Sequence, residues 1–141
     1  MPIDRELIRN VAQVTEQYLA PFLRDLEAVT AIDSGTYDKA GVDRVGDWFA
    51  ARFAEWEWSA ARYDSDPYGS CRSGRLSGSG NARALLLGHM DTVYEAGTAA
   101  ARPLRTEGDV LLGPGTADMK AGLLVALYAL RALQEVGFQD F

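Results

Sequence analysis

Ala84-Leu85-Leu86-Leu87-Gly88-His89-Met90-Asp91-Thr92-Val93 is a short apolar run that passes directly into polar residues. Residues 84–88 have the character of a strand buried on both faces of a parallel sheet. Ligands in open α/β sheets gather at the carboxyl ends of strands, which is where His89 and Asp91 fall. In extended backbone, residues i and i+2 project to the same side, so these two side chains leave the strand end together. A carboxylate so placed accepts the imidazole N–H, fixes the tautomer and leaves the other ring nitrogen for a metal. The same pair also suits a histidine satisfied by its neighbour with no ligand at all. The His-x-Asp pattern alone leaves both open.

Upstream, residues 4–29 repeat apolar side chains near a 3.6-residue period, from Leu7 and Ile8 to Leu26, and predict a helix. Pro21 predicts a kink or a fresh helix start within it. Residues 33–41 form a turn-rich loop. A second amphipathic helix is expected over residues 42–54, with Val45, Trp48, Phe49 and Phe53 on one face. Trp56 and Trp58 alternate with polar residues, which predicts a strand over 55–63, and a short strand follows at 72–76. Downstream, residues 104–112 predict a small hairpin turning at Gly108. Residues 119–136 predict the clearest helix, apolar nearly all round and so well buried. Asp118 stands where its N-cap belongs, and Gly137 where a glycine just past the C-cap belongs. Residues 137–141 read as a turn leading toward a further strand. Helices alternating with strands give an α/β fold, a layered, mostly parallel sheet with flanking helices.

The chain has 141 residues and a mass of 15.3 kDa, the size of one domain. Hydrophobic residues make up 48%, enough for a real core. The net charge of −6 and pI near 4.7 repel phosphate backbones, so no nucleic-acid partner is expected. The single cysteine, Cys71, excludes an intrachain disulfide and a cysteine-based zinc knuckle. A lone thiol suits a reducing compartment, and the charged N-terminus lacks a leader-like apolar core, so a cytoplasmic protein is expected. No apolar run is long enough to span a membrane.

A second constellation is Gly113-Pro114-Gly115-Thr116-Ala117-Asp118-Met119-Lys120-Ala121-Gly122. Glycine and proline make a tight loop, and Asp118 ends it where the long helix begins. An anionic side chain is favoured there by the helix dipole, as a ligand or simply as a cap. A phosphate loop is the rival. Lys120 is followed by alanine, and Asp118 stands at the third glycine position of Gly-x-Gly-x-x-Gly, so both nucleotide patterns fail.

Together, residues 85–93 and 113–122 resemble the di-zinc aminoacylase and carboxypeptidase family, with its glutamate carboxypeptidases, acetylornithine deacetylases and succinyl-diaminopimelate desuccinylases. The looser likeness runs through nearly the whole chain and includes the loop Asp33-Ser34-Gly35-Thr36. The wording His89-Met90-Asp91-Thr92-Val93-Tyr94 is most similar to the glutamate carboxypeptidase branch. The resemblance implies that His89 binds one zinc and that Asp91 orients this histidine as part of the catalytic machinery. It implies that Asp118 bridges two zinc ions and that a cis peptide follows it. Zinc is the implied metal, and cobalt suits the same donors. The implied reaction is hydrolysis of an amide bond beside a free carboxylate, with a small peptide or N-acyl amino acid as substrate.

The resemblance also places a Glu-Glu pair, further zinc ligands and an inserted lid or dimerisation domain beyond Phe141. Residues 1–141 are therefore expected to be the N-terminal portion of a catalytic domain, inactive by itself. The alternative is a non-catalytic remnant or interaction module that pairs an open sheet edge with another chain. Among the remaining signals, the aromatic residues at 48–58 read as core. Arg102 and Arg105 read as surface residues close enough to the site to touch a substrate carboxylate. Lys120 reads as a first-turn surface residue, Glu95 is not enlisted as a base, and Cys71 is no nucleophile.

Overall fold

A computed structural model describes residues 4–141, and residues 1–3, the start of the stretch read for a leader, lie outside the described residues. Helix α1 (Arg5–Gln17) starts at Asp4, whose side chain accepts from the Glu6 and Leu7 amides at 2.8 and 3.3 Å. The chain breaks at Tyr18 and resumes as α2 (Leu19–Thr30), which puts Pro21 in a first helical turn. Proline has no amide hydrogen to offer the preceding turn, so the expected fresh start lies just ahead of it.

Helix α3 (Lys39–Glu55) begins ahead of its apolar pattern because the Asp38 carboxylate accepts from the Gly41 amide at 2.9 Å. Its end differs from the expected strand at residue 55. Trp56 closes the helix and Glu57 turns left-handed, with φ 60°. The Trp58 amide bonds back to Phe53 O at 2.8 Å and the Glu57 amide to Ala54 O at 3.1 Å. This double bond-back is the closure normally given to glycine. A left-handed non-glycine residue costs about 1–2 kcal/mol, part of which glycine returns as unfolded-state entropy. Glu57→Gly is therefore expected to stabilise the chain by about 0.5–1 kcal/mol, read as a higher urea midpoint. An unchanged or lower midpoint would mean that the Glu57 backbone is not strained.

Only after this closure does β1 (Ser59–Tyr63) begin, and it pairs antiparallel with β2 (Cys71–Arg75), Ser59 opposite Arg75 and Tyr63 opposite Cys71. The short helix α4 (Thr98–Ala101) is anchored by Asp33, which accepts from the Gly97 and Ala99 amides at 2.7 and 2.8 Å. These bonds hold the Asp33 carboxyl below the usual carboxylate range. Strands β3 (Arg105–Glu107) and β4 (Val110–Leu112) form the expected hairpin about Gly108, at φ 59°. Helix α5 (Ala121–Glu135) ends as expected at Gly137, with φ 72° and the Phe138 amide bonded to Leu133 O. Residues 138–141 form no strand. Gln139 O instead accepts from the Ser79 and Gly80 amides.

The core is Leu26 and Val29 of α2, Val45 and Phe49 of α3, Trp58, and Leu124, Leu127 and Tyr128 of α5. The aromatic residues at 48–58 join it, as expected, with Phe53 stacked on Trp58. Helix α5 is covered on this one face only, and Val125 on the other is exposed. The larger difference from expectation is the sheet. The described residues mix helices with two small antiparallel sheets, and the parallel pairing among them is one bridge between Gly35 and Thr92. Residues 84–88 form no strand, and Leu85, Leu86 and Leu87 are 79, 56 and 82% exposed. A strand buried on both faces needs hydrogen-bonded neighbours and a covering layer, and the described residues supply neither. No helix among them is long and apolar enough to cross a membrane.

Candidate metal centre

His89 and Asp118, 29 residues apart in the chain, meet: Nε2 lies 2.8 Å from Asp118 Oδ1. Asp91 stands on the other side of the ring. Nδ1 lies 3.0 Å from the Asp91 main-chain oxygen and 3.2 Å from its carboxylate Oδ1. The Nδ1–H is therefore shared between two acceptors of one residue, and Nε2 is directed at Asp118. With carboxylate oxygens at both nitrogens, the imidazole holds a second proton more readily. Its pKa is raised above the ordinary value, chiefly by the Asp118 hydrogen bond.

The loop 33–36 holds the His89 segment in place. Ser34 Oγ donates to Met90 O at 3.0 Å, and the Thr92 amide donates to Ser34 O at 2.7 Å. Thr36 Oγ1 donates to Asp91 Oδ2 at 2.5 Å, which fixes the carboxylate facing the ring. The His89 amide is 3.4 Å from Met119 Sδ, a further tie between the two motifs.

Asp118 is not the N-cap of α5. Its backbone is extended, at φ −139° and ψ 95°, inside the distorted turn Thr116–Lys120, and the peptide bond to Met119 is cis. Its side chain is 82% exposed and faces His89. Lys120 is likewise not on the surface. It is 1% exposed, and its ammonium donates to Ile32 O at 2.6 Å and Val29 O at 3.0 Å. Burial pushes its pKa down to about 8, against the pull of Asp33. A lysine two residues past a loop aspartate gives no sequence signal of burial, because the two carbonyls that receive it lie far off in the chain, one in the last turn of α2 and one just beyond it. Thr36 carried a signal only as part of the loop 33–36.

His89, Asp91, Thr116 and Asp118 line a cleft of about 250 Å³. Tyr94 and Gly113 also border a neighbouring cleft that includes Arg102 and Arg105. Arg102 lies 5.0 Å from the centre of the Tyr94 ring, and Arg105 pairs with Glu107 at 2.8 Å. Glu95 is exposed and lies outside the cleft lining. The donors at the centre, one imidazole nitrogen and one carboxylate oxygen, are of the kinds that zinc takes. Asp91 faces the other ring nitrogen, and no group of three such side chains among the described residues is arranged to hold a metal ion.

Residues 85–140, which contain both motifs, match Peptidase family M20/M25/M40. Carboxypeptidase G2 of Pseudomonas sp. (strain RS-16) is 36% identical over 121 residues, 84% of this chain and 29% of that protein. A provisionally named succinyl-diaminopimelate desuccinylase DapE of Mycobacterium tuberculosis (strain CDC 1551 / Oshkosh) is 38% identical over 90 residues, 60% of this chain and 25% of that protein. The chain thus spans less than a third of the length of these relatives. The matched segment runs from the apolar approach to His89, through Asp118, to the end of α5, and on that pattern the chain belongs to peptidase family M20/M25/M40.

Proposed function

We propose that this chain contributes part of the metal centre of a zinc-dependent amide hydrolase. His89 Nε2 and Asp118 Oδ1 are the ligands it supplies, and Asp91 is the residue that orients His89. The observation that carries this reading is the 2.8 Å approach of His89 to Asp118. A divalent cation bound there would act as a Lewis acid toward a scissile amide carbonyl, and cobalt would suit the same donors as zinc. Asp91 and the main-chain oxygen behind it keep the proton on Nδ1, so that Nε2 presents its lone pair to the cation. Thr36 holds Asp91 in that pose. The names of the relatives, a carboxypeptidase and a desuccinylase, support an amide substrate that carries a carboxylate, such as a small peptide or an N-acyl amino acid.

On the same reading, residues 1–141 are the N-terminal portion of a zinc-peptidase catalytic domain in the cytoplasm. Residues 84–88 then become a strand of a layered, mostly parallel sheet. Three consecutive exposed leucines support that placement. They also suit the second reading, a non-catalytic remnant or interaction module that pairs an open sheet edge with another chain.

Calorimetric titration with zinc separates the two. The wild type is expected to bind zinc weakly, two protein donors being one short of a full set, with a binding heat that His89→Ala and Asp118→Ala each abolish. Equal heats in all three proteins would remove the metal centre and leave the interaction module.

A further inference from the structure

We propose that Lys120 is a positioning residue for Asp118: its buried ammonium, clasped by two main-chain carbonyls in the last turn of α2 and just beyond it, fixes the turn that presents the Asp118 carboxylate to His89. The proposal rests on the reading of Asp118 as a ligand.

Asp118 has little of its own to hold it. The side chain is mostly exposed, and its one hydrogen-bond partner among the described residues is the His89 ring. Its place is set by the residues on either side. Before it, the stem of Lys120 lies against Gly115, so close that a Cβ there would stand 3.2 Å from Lys120 Cδ and 2.9 Å from a Thr92 methyl. After it, the Lys120 amide returns to Gly115 O at 2.8 Å, which closes the turn around Asp118. The ammonium then secures the closed turn to Val29 O and Ile32 O.

The position of those carbonyls matters. They belong to the end of α2 and the entry to the loop 33–36, the same loop that holds Met90, Asp91 and Thr92 through Ser34 and Thr36. One short stretch, residues 29–36, therefore registers both halves of the site, with the His89 segment on one side and the Asp118 turn on the other. A metal centre tolerates errors of about 0.5 Å in its ligands. Filling the space under the turn would require only an apolar side chain, whereas burying an ammonium is costly unless its hydrogen bonds are made. A lysine accepts that cost here in return for two directed bonds to carbonyls near the negative end of a helix.

The test compares Lys120→Met, which keeps the stem and removes the donors, with Val45→Ala, which loosens the core away from the site. Both are measured where circular dichroism shows them folded, and Lys120→Gln is read in the same way if the methionine variant does not fold. Two readouts are taken: zinc affinity by calorimetry, and the metal-free 15N shifts of the His89 ring at one fixed pH. His89 is the single histidine of the chain, so its signals are unambiguous. Loss of the lysine donors is expected to weaken zinc binding about tenfold, the usual effect of removing a residue that orients a ligand. The His89 Nε2 shift is expected to move toward its value in Asp118→Asn, and Val45→Ala to leave both readouts unchanged. Wild-type zinc affinity and wild-type His89 shifts in the folded lysine variant would overturn the proposal and make Lys120 purely structural. Should the wild type bind zinc no better than Asp118→Ala, the metal reading fails by itself, and the His89 shifts still decide the role of Lys120.

Discussion

Asp25→Ala is expected to cost about 3 kcal/mol of stability, the low end of what breaking a buried ion pair costs. Asp25 of α2 is buried and accepts three hydrogen bonds: from Arg52 Nε and Nη2 of α3 at 3.1 and 2.6 Å, and from the Tyr128 hydroxyl of α5 at 2.8 Å. One carboxylate thus joins the three helices that build the core. Burial and this carboxylate both hold the Tyr128 phenol protonated, so the hydroxyl remains a donor well into the alkaline range. Alanine leaves that buried hydroxyl without an acceptor and strips the Arg52 guanidinium of its bidentate partner. Arg52 keeps Glu55 and partial exposure, which places the cost at the low end. For a chain of this length, about 3 kcal/mol lowers the melting temperature by about 10 °C. Tyr128→Phe removes one bond and leaves no group stranded, so about 1 kcal/mol is expected there. Urea unfolding of the three proteins provides the measurement. An Asp25→Ala midpoint equal to that of Tyr128→Phe would show that the Arg52 pair contributes nothing.

This clasp was not legible in the sequence, and the reason is general to the chain. Features that one segment decides for itself could be read. The helical period through residues 4–29, the break ahead of Pro21, the turn at Gly108 and the closure at Gly137 each depend on local backbone preference. Features that need a partner from elsewhere could not. Trp56 and Trp58 alternate like strand residues, yet the chain uses residues 56–58 to leave a helix, because Trp58 is drawn into a core that α2 and α5 complete. Residues 84–88 have the composition of a buried strand, but burial requires neighbours, and the leucines stand exposed without them.

The candidate site divides along the same line. Residue types and spacing singled out His89, Asp91 and Asp118, and the structure brings all three to one cleft. What the sequence misplaced was how Asp118 is held. As an N-cap it would turn its carboxylate back onto helix amides. Extended, and followed by a cis peptide, it faces His89 instead. The groups behind this difference, Lys120 and the carbonyls of Val29 and Ile32, are far apart in the chain and carry no shared pattern.

Incubated with zinc and an N-acyl glutamate, the 141-residue chain is expected to release no glutamate above the zinc-only blank. A catalytic zinc takes three protein ligands and keeps a fourth position open for water or substrate. His89 and Asp118 supply two donors, Asp91 faces the other ring nitrogen, and no group of three such side chains among the described residues is arranged to hold a metal ion. Proton transfer to the leaving amine needs a base within hydrogen-bond reach of the reacting water. Neither Glu95 nor Glu107 meets that need: both lie outside the cleft lining, and Glu107 is paired with Arg105. The missing contributions are large. Complete enzymes gain factors of a million or more over the uncatalysed reaction, and a cation held by two ligands with no base forfeits nearly all of it. Glutamate release is followed by amino-group labelling, with His89→Ala run in parallel. Turnover above the blank that survives in His89→Ala is contamination. Turnover that the substitution abolishes would mean that residues within this chain complete the coordination shell and supply the base, and Glu95 would be the first to substitute.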